Sequence, residues 1–339
     1  MKLTATPLNL PLRHTFTISR SSTDVAQNVL ATLRHGDHEG LGEAAPIRFY
    51  GQNQKSCIAA LNRMNKNLDG RDPFELETIL NDLKKRYPKE ASAIAAVDIA
   101  LHDLIGKTLG IPLWKYWGLD PKATPRTSFT IGIDTLEKVK LKIAEAEPYP
   151  ILKVKVGVAT DIEIMREVRR LAPKKTLRVD ANCGWTVPEA IRKAKVMEKL
   201  GVEFIEQPIP PGNNKALKKI RDSIGLPLMT DESSLTPDDI PALWGCVDAI
   251  NIKLVKCGGL RAALKMIHLA RGCGLKIMLG CMIESSVLAT AAAHLSPLVD
   301  YADLDTPLLI KSDPFRGMTI DKNAKLILPQ GPGLGVVPT

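Results

Sequence analysis

Three lysines stand in short segments that have the composition of β-strands. Lys153 and Lys155 belong to ILKVKVG (151–157), and Lys253 belongs to AINIKL (249–254). Strand periodicity puts Lys153 and Lys155 on one face, opposite Leu152 and Val154. An isolated strand of this kind would leave its lysines in solvent, whereas alternate positions of a barrel strand point inward. Inward lysines are candidate general acids and bases, because neighbouring charges adjust their pKa.

Three carboxylates each end a β-rich segment. Asp180 follows LRV, Glu206 follows FI, and Asp231 follows LMT. Any one of them alone is typical of a helix cap or a surface acid. Three on consecutive strands would converge, and buried carboxylates without partners are electrostatically untenable, so the set predicts a bound cation. Oxygen ligation without His or Cys favours Mg²⁺, with Mn²⁺ as a substitute, and disfavours Zn²⁺.

The lysines flank these carboxylates in chain order. Lys153 and Lys155 precede the three carboxylate segments and Lys253 follows them, so they would face each other across the cation. The cation and a second lysine would lower the pKa of such a base toward neutrality. One base on each side of a bound carbon is the arrangement that a racemase or epimerase requires.

A strand-and-helix repeat would position these residues. Eight β-rich segments end near Thr130, Lys155, Asp180, Glu206, Asp231, Lys253, Leu279 and Asp305. Successive ends are separated by 25, 25, 26, 25, 22, 26 and 26 residues. Helices are predicted at 135–147, 161–172, 188–200, 214–223 and 260–273. This period predicts an α/β fold of the (β/α)8 barrel type or a close relative. An open doubly wound sheet is the alternative, but the glycine fingerprint expected after its first strand is missing.

The rest of the chain divides around this repeat. Residues 1–122 predict an α+β unit with a hairpin around His35–His38 and helices near 54–68, 73–86 and 91–109. Residues 123–310 form the predicted barrel. Residues 311–339, rich in Pro and Gly, are expected to return to the first unit. Glycines in GPGLG (331–335) follow no strand-to-helix unit and are interpreted as tail packing.

Composition narrows the class of protein. The chain has 339 residues, 45% hydrophobic and 24% charged, which is typical of a globular protein of about two domains. Its net charge of +9 is not clustered in a basic run, so we predict no nucleic-acid partner. Six cysteines without a C-x-x-C pair predict reduced thiols and a cytoplasmic location. The first residues lack a signal-peptide core and no apolar stretch suffices to span a membrane, so no membrane association is predicted.

Taken together, these motifs resemble the enolase superfamily, and within it the muconate-lactonizing subgroup. The matching segments are LKVKV (152–156), VDAN (179–182), IEQP (205–208), TDES (230–233), NIKLVKCGG (251–259) and the helix AVDIALHDL (96–104). The resemblance covers nearly the whole chain. It implies a (β/α)7β modified TIM barrel with an N-terminal α+β capping domain, and a lysine base that works with Mg²⁺.

The resemblance also implies roles for individual residues. Asp180, Glu206 and Asp231 would bind one Mg²⁺. Lys155 and Lys253 would be the two acid/base catalysts, and Lys153 would steady the substrate carboxylate and the developing enolate oxygen. The substrate side is implied for Thr130, for Asp303 and Asp305, for the loop residues Cys281, Met282 and Ile283, and for Arg20.

The last predicted strand bears on the substrate. YADLDT (301–306) presents Asp303 and Asp305 at strand period, and relatives with this D-x-D are dipeptide epimerases whose acids hold the free ammonium group. Asp305 as a cap of the following turn is the alternative. Arg20 resembles an arginine that contacts the glutamate side chain of Ala-Glu, or is a surface arginine in a loop.

The predicted reaction is therefore inversion of the C-terminal α-carbon of a dipeptide. L-Ala-D/L-Glu, a fragment of bacterial cell-wall peptide, is the preferred substrate, and hydrophobic or cationic dipeptides are alternatives. An N-acylamino acid racemase or a cycloisomerase of the muconate or o-succinylbenzoate type would use the same scaffold. A non-catalytic binding protein would have lost a lysine or an acid, and none is missing. A homo-oligomer is compatible with the sequence, which does not determine the oligomeric state.

Overall fold

The computed structural model describes all residues, Met1–Thr339. The N-terminal unit begins with an antiparallel sheet of β1 (Lys2–Ile18), β2 (Ser21–His35) and β3 (His38–Ala44). It continues with helices α1 (Gln54–Leu68), α2 (Leu76–Arg86), α3 (Ala91–Leu109) and the short α4 (Leu113–Tyr116). A core of 20 buried residues joins the sheet to α1, α2 and α3.

Local sequence explains how these elements start and pack. Asn53 caps α1 through a reciprocal pair of bonds with Ser56. Gly110 ends α3 in the left-handed conformation at φ 71°. Gly42 lets β3 lie directly against α3, because a Cβ there would collide with the carbonyl group of Ala96.

The first strand was not predicted from the sequence. Pro7 and Pro11 interrupt β1, which tolerates them because it lies at the edge of the sheet and pairs only with β2. The second helix begins at Leu76 rather than near 73, because Asp72 forms a turn by accepting the amide of Glu75.

The second unit is a parallel sheet of eight strands that follow one another in chain order. They are β4 (Phe129–Ile131), β5 (Ile151–Lys155), β6 (Thr176–Asp180), β7 (Val202–Glu206), β8 (Leu228–Thr230), β9 (Ala249–Ile252), β10 (Lys276–Gly280) and β11 (Tyr301–Asp303). A bridge between Thr127 and Ala302 joins the first strand to the last and closes the barrel.

Helices alternate with these strands and cover the barrel. They are α5 (Leu136–Glu145), α6 (Asp161–Leu171), α7 (Val187–Lys199), α8 (Asn214–Arg221), α9 (Ile240–Leu243), α10 (Leu254–Cys257), α11 (Leu260–Gly272), α12 (Ser286–His294) and α13 (Thr306–Leu309). A core of 60 buried residues unites barrel and helices. The last strand is followed only by the single turn α13, so the predicted (β/α)7β barrel with an N-terminal α+β domain is confirmed.

The C-terminal segment, 311–339, ties the two units together. The amide of Leu113 donates to Gly333 O at 3.0 Å, and the amide of Leu334 donates to Asp103 Oδ1 of α3 at 2.8 Å. The amide of Thr127, just before β4, donates to Ala324 O at 2.8 Å. Across the whole chain, no helix combines the length and apolar composition that crossing a membrane requires.

Candidate active site

The structure brings the predicted lysines and carboxylates together at the C-terminal ends of neighbouring strands. Register places Lys155 of β5 beside Asp180 of β6, and Asp180 beside Glu206 of β7. Asp231 follows β8 directly, and Lys253 follows β9 directly. All five side chains are buried. Strand ends of parallel barrels are where such constellations assemble.

Lys153 lies one layer deeper in the barrel than Lys155. Its Nζ is 2.7 Å from Asp303 Oδ2, 2.6 Å from Glu206 Oε2 and 3.5 Å from Asp180 Oδ2. Burial opposes its charge, but attraction by Asp303 and Glu206 outweighs burial and raises the pKa of Lys153. The lysine is thus a fixed cation below the carboxylates rather than part of the cavity wall.

The two remaining predicted lysines lie on opposite sides of the carboxylate group. Lys155 Nζ is 2.7 Å from Asp180 Oδ2, and Lys253 Nζ is 3.2 Å from Asp231 Oδ2. Burial acts to lower the pKa of Lys253, but the Asp231 carboxylate outweighs it and raises that pKa. The sequence predicted a lowered pKa for such a base. In the structure the pKa of Lys253 is raised instead, because nearby acids act more strongly on it than the neighbouring lysine does.

The three carboxylates differ in electrostatic environment. Burial and repulsion by Asp180 raise the pKa of Glu206 to about 7. Burial also acts against ionisation of Asp231, but Lys253 and Lys256 outweigh it and lower that pKa. The acids do not form a closed cage of three ligands, because each is drawn toward a lysine ammonium.

A hard divalent cation fits this donor set. Glu206 Oε2 and Asp231 Oδ2 are buried and accept no well-directed hydrogen bond, although each has a lysine ammonium nearby. Two acceptor oxygens with unused lone pairs, in a group of oxygen donors without His or Cys, match the preference of Mg²⁺.

Sequence reasoning assigned no role to several residues that hold these ligands. Asn251 Nδ2 donates to Glu206 Oε1 at 2.7 Å, and Gln207 Oε1 accepts the amide of Asp231 at 2.9 Å. Lys256 Nζ is 2.6 Å from Asp231 Oδ1. All three belong to the recognised motifs, but nothing in their spacing along the chain indicates which carboxylate each one contacts.

The backbone around these ligands is locally strained. Asn182, Cys183 and Gln207 have positive φ angles of 44°, 66° and 36°, just beyond β6 and β7. The amide of Asn182 donates to Asp180 Oδ1 at 2.9 Å, which helps to hold its turn. Non-glycine residues in this region are uncommon and concentrate at functional sites.

The D-x-D pair lies on the same side of the barrel as Lys153. Asp303 accepts the hydroxyl of Ser128 at 2.5 Å, in addition to its contact with Lys153. Asp305 Oδ2 accepts the amide of Thr130 at 2.6 Å. Asp305 is the first residue before α13 but makes no capping bond, so the capping alternative is not observed. Burial and repulsion by Asp303 raise the pKa of Asp305 to about 7.

The loop after β10 is held by the capping domain. Glu43 of β3 is fully buried and accepts the hydroxyl and the amide of Ser285 at 2.5 and 3.0 Å. Asn28 of β2 donates to both Glu43 Oε1 and Ile283 O, at 2.7 and 2.9 Å. The position of the loop 281–285 therefore depends on contacts between the two units.

Arg20 sits at the tip of the hairpin that joins β1 to β2. Its Nη2 is 2.6 Å from Glu232 Oε1, and its Nη1 donates to Asn182 O at 2.8 Å. The guanidinium lies 4.6 Å from the centre of the Phe49 ring. Arg20 is thus folded over the barrel mouth rather than free in solvent.

A cavity of about 830 Å³ lies between the two units and above the lysines. Its lining includes most of the predicted site residues: Arg20, Thr130, Lys155, Asp231, Lys253, Cys281, Met282, Ile283, Asp303 and Asp305. Lys153, Asp180 and Glu206 lie beneath it, fully buried. A cavity of this size accommodates a small molecule.

Two family models match the chain. The mandelate racemase / muconate lactonizing enzyme N-terminal domain matches residues 2–118, and the enolase C-terminal domain-like model matches residues 135–339. Together they place the protein in a known class of barrel enzymes. The chain belongs to the enolase superfamily.

Individual relatives are similar over nearly their whole length. The L-Ala-D/L-Glu epimerase of Bacteroides thetaiotaomicron is 41% identical over 339 residues, which cover 99% of this chain and 88% of the relative. The L-Lys-D/L-Arg epimerase of Methylococcus capsulatus is 35% identical over 97% of this chain and 96% of the relative. The dipeptide epimerase of Cytophaga hutchinsonii, solved with Mg and D-Ala-L-Val, superposes with a TM-score of 0.95 at 29% identity, covering 100% and 96% of the two chains.

Proposed function

We propose that this protein is an isomerase, a Mg²⁺-dependent dipeptide epimerase that inverts the α-carbon of the C-terminal residue. The observation that carries the proposal is the placement of Lys155 and Lys253 on opposite sides of buried carboxylates beneath one cavity. The relatives above, which are epimerases of dipeptides, support the same reaction.

In this proposal the two lysines exchange protons with opposite faces of the substrate carbon. One ammonium must lose its proton to act as base, while the other stays protonated and returns a proton to the opposite face. Lys153, whose charge is fixed by Asp303 and Glu206, would stabilise the substrate carboxylate electrostatically from beneath the three acids. For an epimer of the other configuration, Lys155 and Lys253 exchange roles.

Asp180, Glu206 and Asp231 would hold the metal ion. Their oxygen donors and the two acceptors without hydrogen bonds support this assignment. When bound, Mg²⁺ supplies positive charge that stabilises the negative charge developing on the substrate carboxylate. Mn²⁺ offers the same coordination chemistry as a substitute.

The other end of the substrate would lie against the D-x-D pair. Asp303 and Asp305 line the cavity and are both buried, which suits the ammonium group of a dipeptide. Cys281, Met282 and Ile283 line the cavity beside it, and the amide of Thr130 donates to Asp305. The substrate of an N-acylamino acid racemase or of a cycloisomerase has no free ammonium group that could bind to Asp303 and Asp305.

L-Ala-D/L-Glu is the preferred substrate in the proposal. Two arginines of the capping domain, Arg20 and the exposed Arg48, line the cavity together with one exposed carboxylate, Asp24, so its rim has a net positive charge. A cationic rim favours an acidic side chain over the cationic side chains of an L-Lys-D/L-Arg epimerase. A role in turnover of cell-wall peptides would follow.

Cellular context and domain limits complete the proposal. The six cysteines form no disulfide, which agrees with a reducing compartment such as the cytoplasm. The limits 1–122, 123–310 and 311–339 are supported by an N-terminal core that lies entirely within residues 3–104 and by the tail contacts described above. Five residues of the first unit pack into the barrel core instead and join the two units: Ala45, Ile47, Ala95, Ile99 and Leu113.

Hydrogen exchange tests the reaction directly. When the protein is incubated with Mg²⁺ and a panel of dipeptides in D₂O, the α-proton of the C-terminal residue should be replaced by deuterium. Proton NMR measures the loss of its signal. Replacing both bases, Lys155→Ala and Lys253→Ala, should abolish exchange, whereas Lys195→Ala on the exposed face of α7 should preserve it. Absence of exchange on every dipeptide would rule out the epimerase, and exchange in the double variant would rule out these bases.

A further inference from the structure

The carboxylate of Glu232 is paired with Arg20, the guanidinium that would bind the side chain of the substrate. Glu232 follows Asp231 directly, and its side chain has 0% exposure. One oxygen, Oε1, lies 2.6 Å from Arg20 Nη2, while Oε2 is buried without any hydrogen-bond partner. The Arg20–Glu232 pair is therefore the only salt bridge of this acid, and its two members lie between two cavities: Arg20 lines the cavity above the lysines, and Glu232 lines the neighbouring groove.

Arg20 keeps capacity for a second anion. A guanidinium presents five N–H donors, and here one bonds Glu232 and another bonds Asn182 O. Phe49 lies against the guanidinium and restrains its orientation at a centroid distance of 4.6 Å. The side chain is 28% exposed, and three of its five N–H donors have no partner within the protein.

We propose that Glu232 is a specificity-determining residue that moderates the preference of the cavity for an acidic C-terminal side chain. A substrate carboxylate that approaches Arg20 must share the guanidinium with a resident carboxylate of the same charge. The attraction is weakened by this repulsion, whereas a neutral side chain of the same shape is unaffected. This inference rests on the proposed dipeptide epimerase activity and adds the source of its selectivity.

The matched substrates are L-Ala-L-Glu and L-Ala-L-Gln, which differ in one charge and hardly in shape. Glu232→Gln removes the resident charge and keeps a hydrogen-bond acceptor for Arg20. It should raise the ratio of kcat/KM for the Glu substrate over the Gln substrate, on the order of tenfold. Asp238→Asn is the control, since Asp238 lines the neighbouring groove with Glu232 but its side chain is 87% exposed.

A second variant keeps the test decisive if the single one folds poorly. Arg20→Met with Glu232→Gln removes both charges, so no buried carboxylate is left unpaired, and thermal unfolding checks its integrity. This double variant should lose the preference for Glu over Gln that the unmodified protein shows.

The outcomes separate the two proposals. A ratio that stays constant in Glu232→Gln, or equal loss of kcat on both substrates, overturns the role of Glu232 while exchange itself persists. A double variant with unchanged preference shows that Arg20 does not read the side chain, which overturns the inference as well. Exchange on no dipeptide by the unmodified protein would overturn the epimerase activity instead.

Discussion

The floor and the mouth of the cavity are built on opposite principles. The floor comprises Lys153, Lys155, Asp180, Glu206, Asp231 and Lys253, which stand on or next to barrel strands and are at most 8% exposed. The mouth comprises Arg20, Met282 and Ile283, which stand in loops, and Phe49, which belongs to the short 3-10 helix Arg48–Tyr50 and is 47% exposed. Every charge of the floor has an ionic partner within the barrel.

This difference separates reactivity from substrate choice. Strand ends of a closed barrel cannot shift without disturbing their neighbours, so the floor is a rigid support for proton transfer. Loops of the capping domain can change length and sequence without disturbing that support. Relatives at 41% and 35% identity are an L-Ala-D/L-Glu epimerase and an L-Lys-D/L-Arg epimerase, so substrate choice varies among similar chains.

Removal of the metal ion from the floor should cause the largest loss of activity. Dialysis against EDTA should lower the exchange rate of L-Ala-L-Glu by on the order of 10³-fold or more, because charge developing on the substrate carboxylate loses its stabilisation. Addition of Mg²⁺ should restore the rate, and Ca²⁺ serves as the control cation. An unaffected rate after EDTA would contradict the assignment of the three acids.

The variant Lys256→Met tests whether Lys256 holds Asp231 in position. Loss of its 2.6 Å contact frees Asp231 to reorient, so the affinity for Mg²⁺ should fall by about 10- to 100-fold. Isothermal titration with Mg²⁺ measures this independently of turnover. Lys195→Met on α7 is the matched control, and equal affinities in both variants would show that Lys256 does not position Asp231.

Glu43→Gln tests the link between mouth and floor. The amide cannot accept all the bonds from Ser285 and Asn28, so the loop 281–285 should loosen. We expect KM for L-Ala-L-Glu to rise by about tenfold with little change in kcat, since the lysines are untouched. Glu39→Gln, at a partly exposed position of the same strand, should leave KM unchanged.

His294 lies outside both regions and should affect stability alone. Burial lowers its pKa from 6.5 to about 4 and outweighs its bond to Leu334 O. Because the unfolded chain takes up the proton first, stability should fall as pH drops from 6.5 toward 4, by about 3 kcal/mol.

Thermal unfolding between pH 4 and 7 measures this effect. His294→Gln should flatten the pH dependence, whereas His268→Gln, at an exposed position of α11, should retain it. Exchange activity at pH 7.5 should be the same in both variants. A slope that survives in His294→Gln would assign the effect to other groups.

The floor was predictable from the sequence because its periodicity is local. Lysines two residues apart share a strand face, and acids at intervals of 26 and 25 residues fall on successive strands of a repeat. The eight strands and the boundaries of α1 and α3 followed from the same patterns. The proline-interrupted β1 did not, since its strand is stabilised by pairing with β2 rather than by its own composition.

The mouth and the pairing of charges could not be predicted in this way. The sequence by itself determined the barrel, the capping domain and the set of lysines and acids on the strand ends. Only the tertiary structure decided that Arg20 pairs with Glu232, that Lys256 holds Asp231 and that Glu43 reaches Ser285. These contacts join residues 25 to 242 positions apart, so their geometry depends on how whole elements pack and not on any local period.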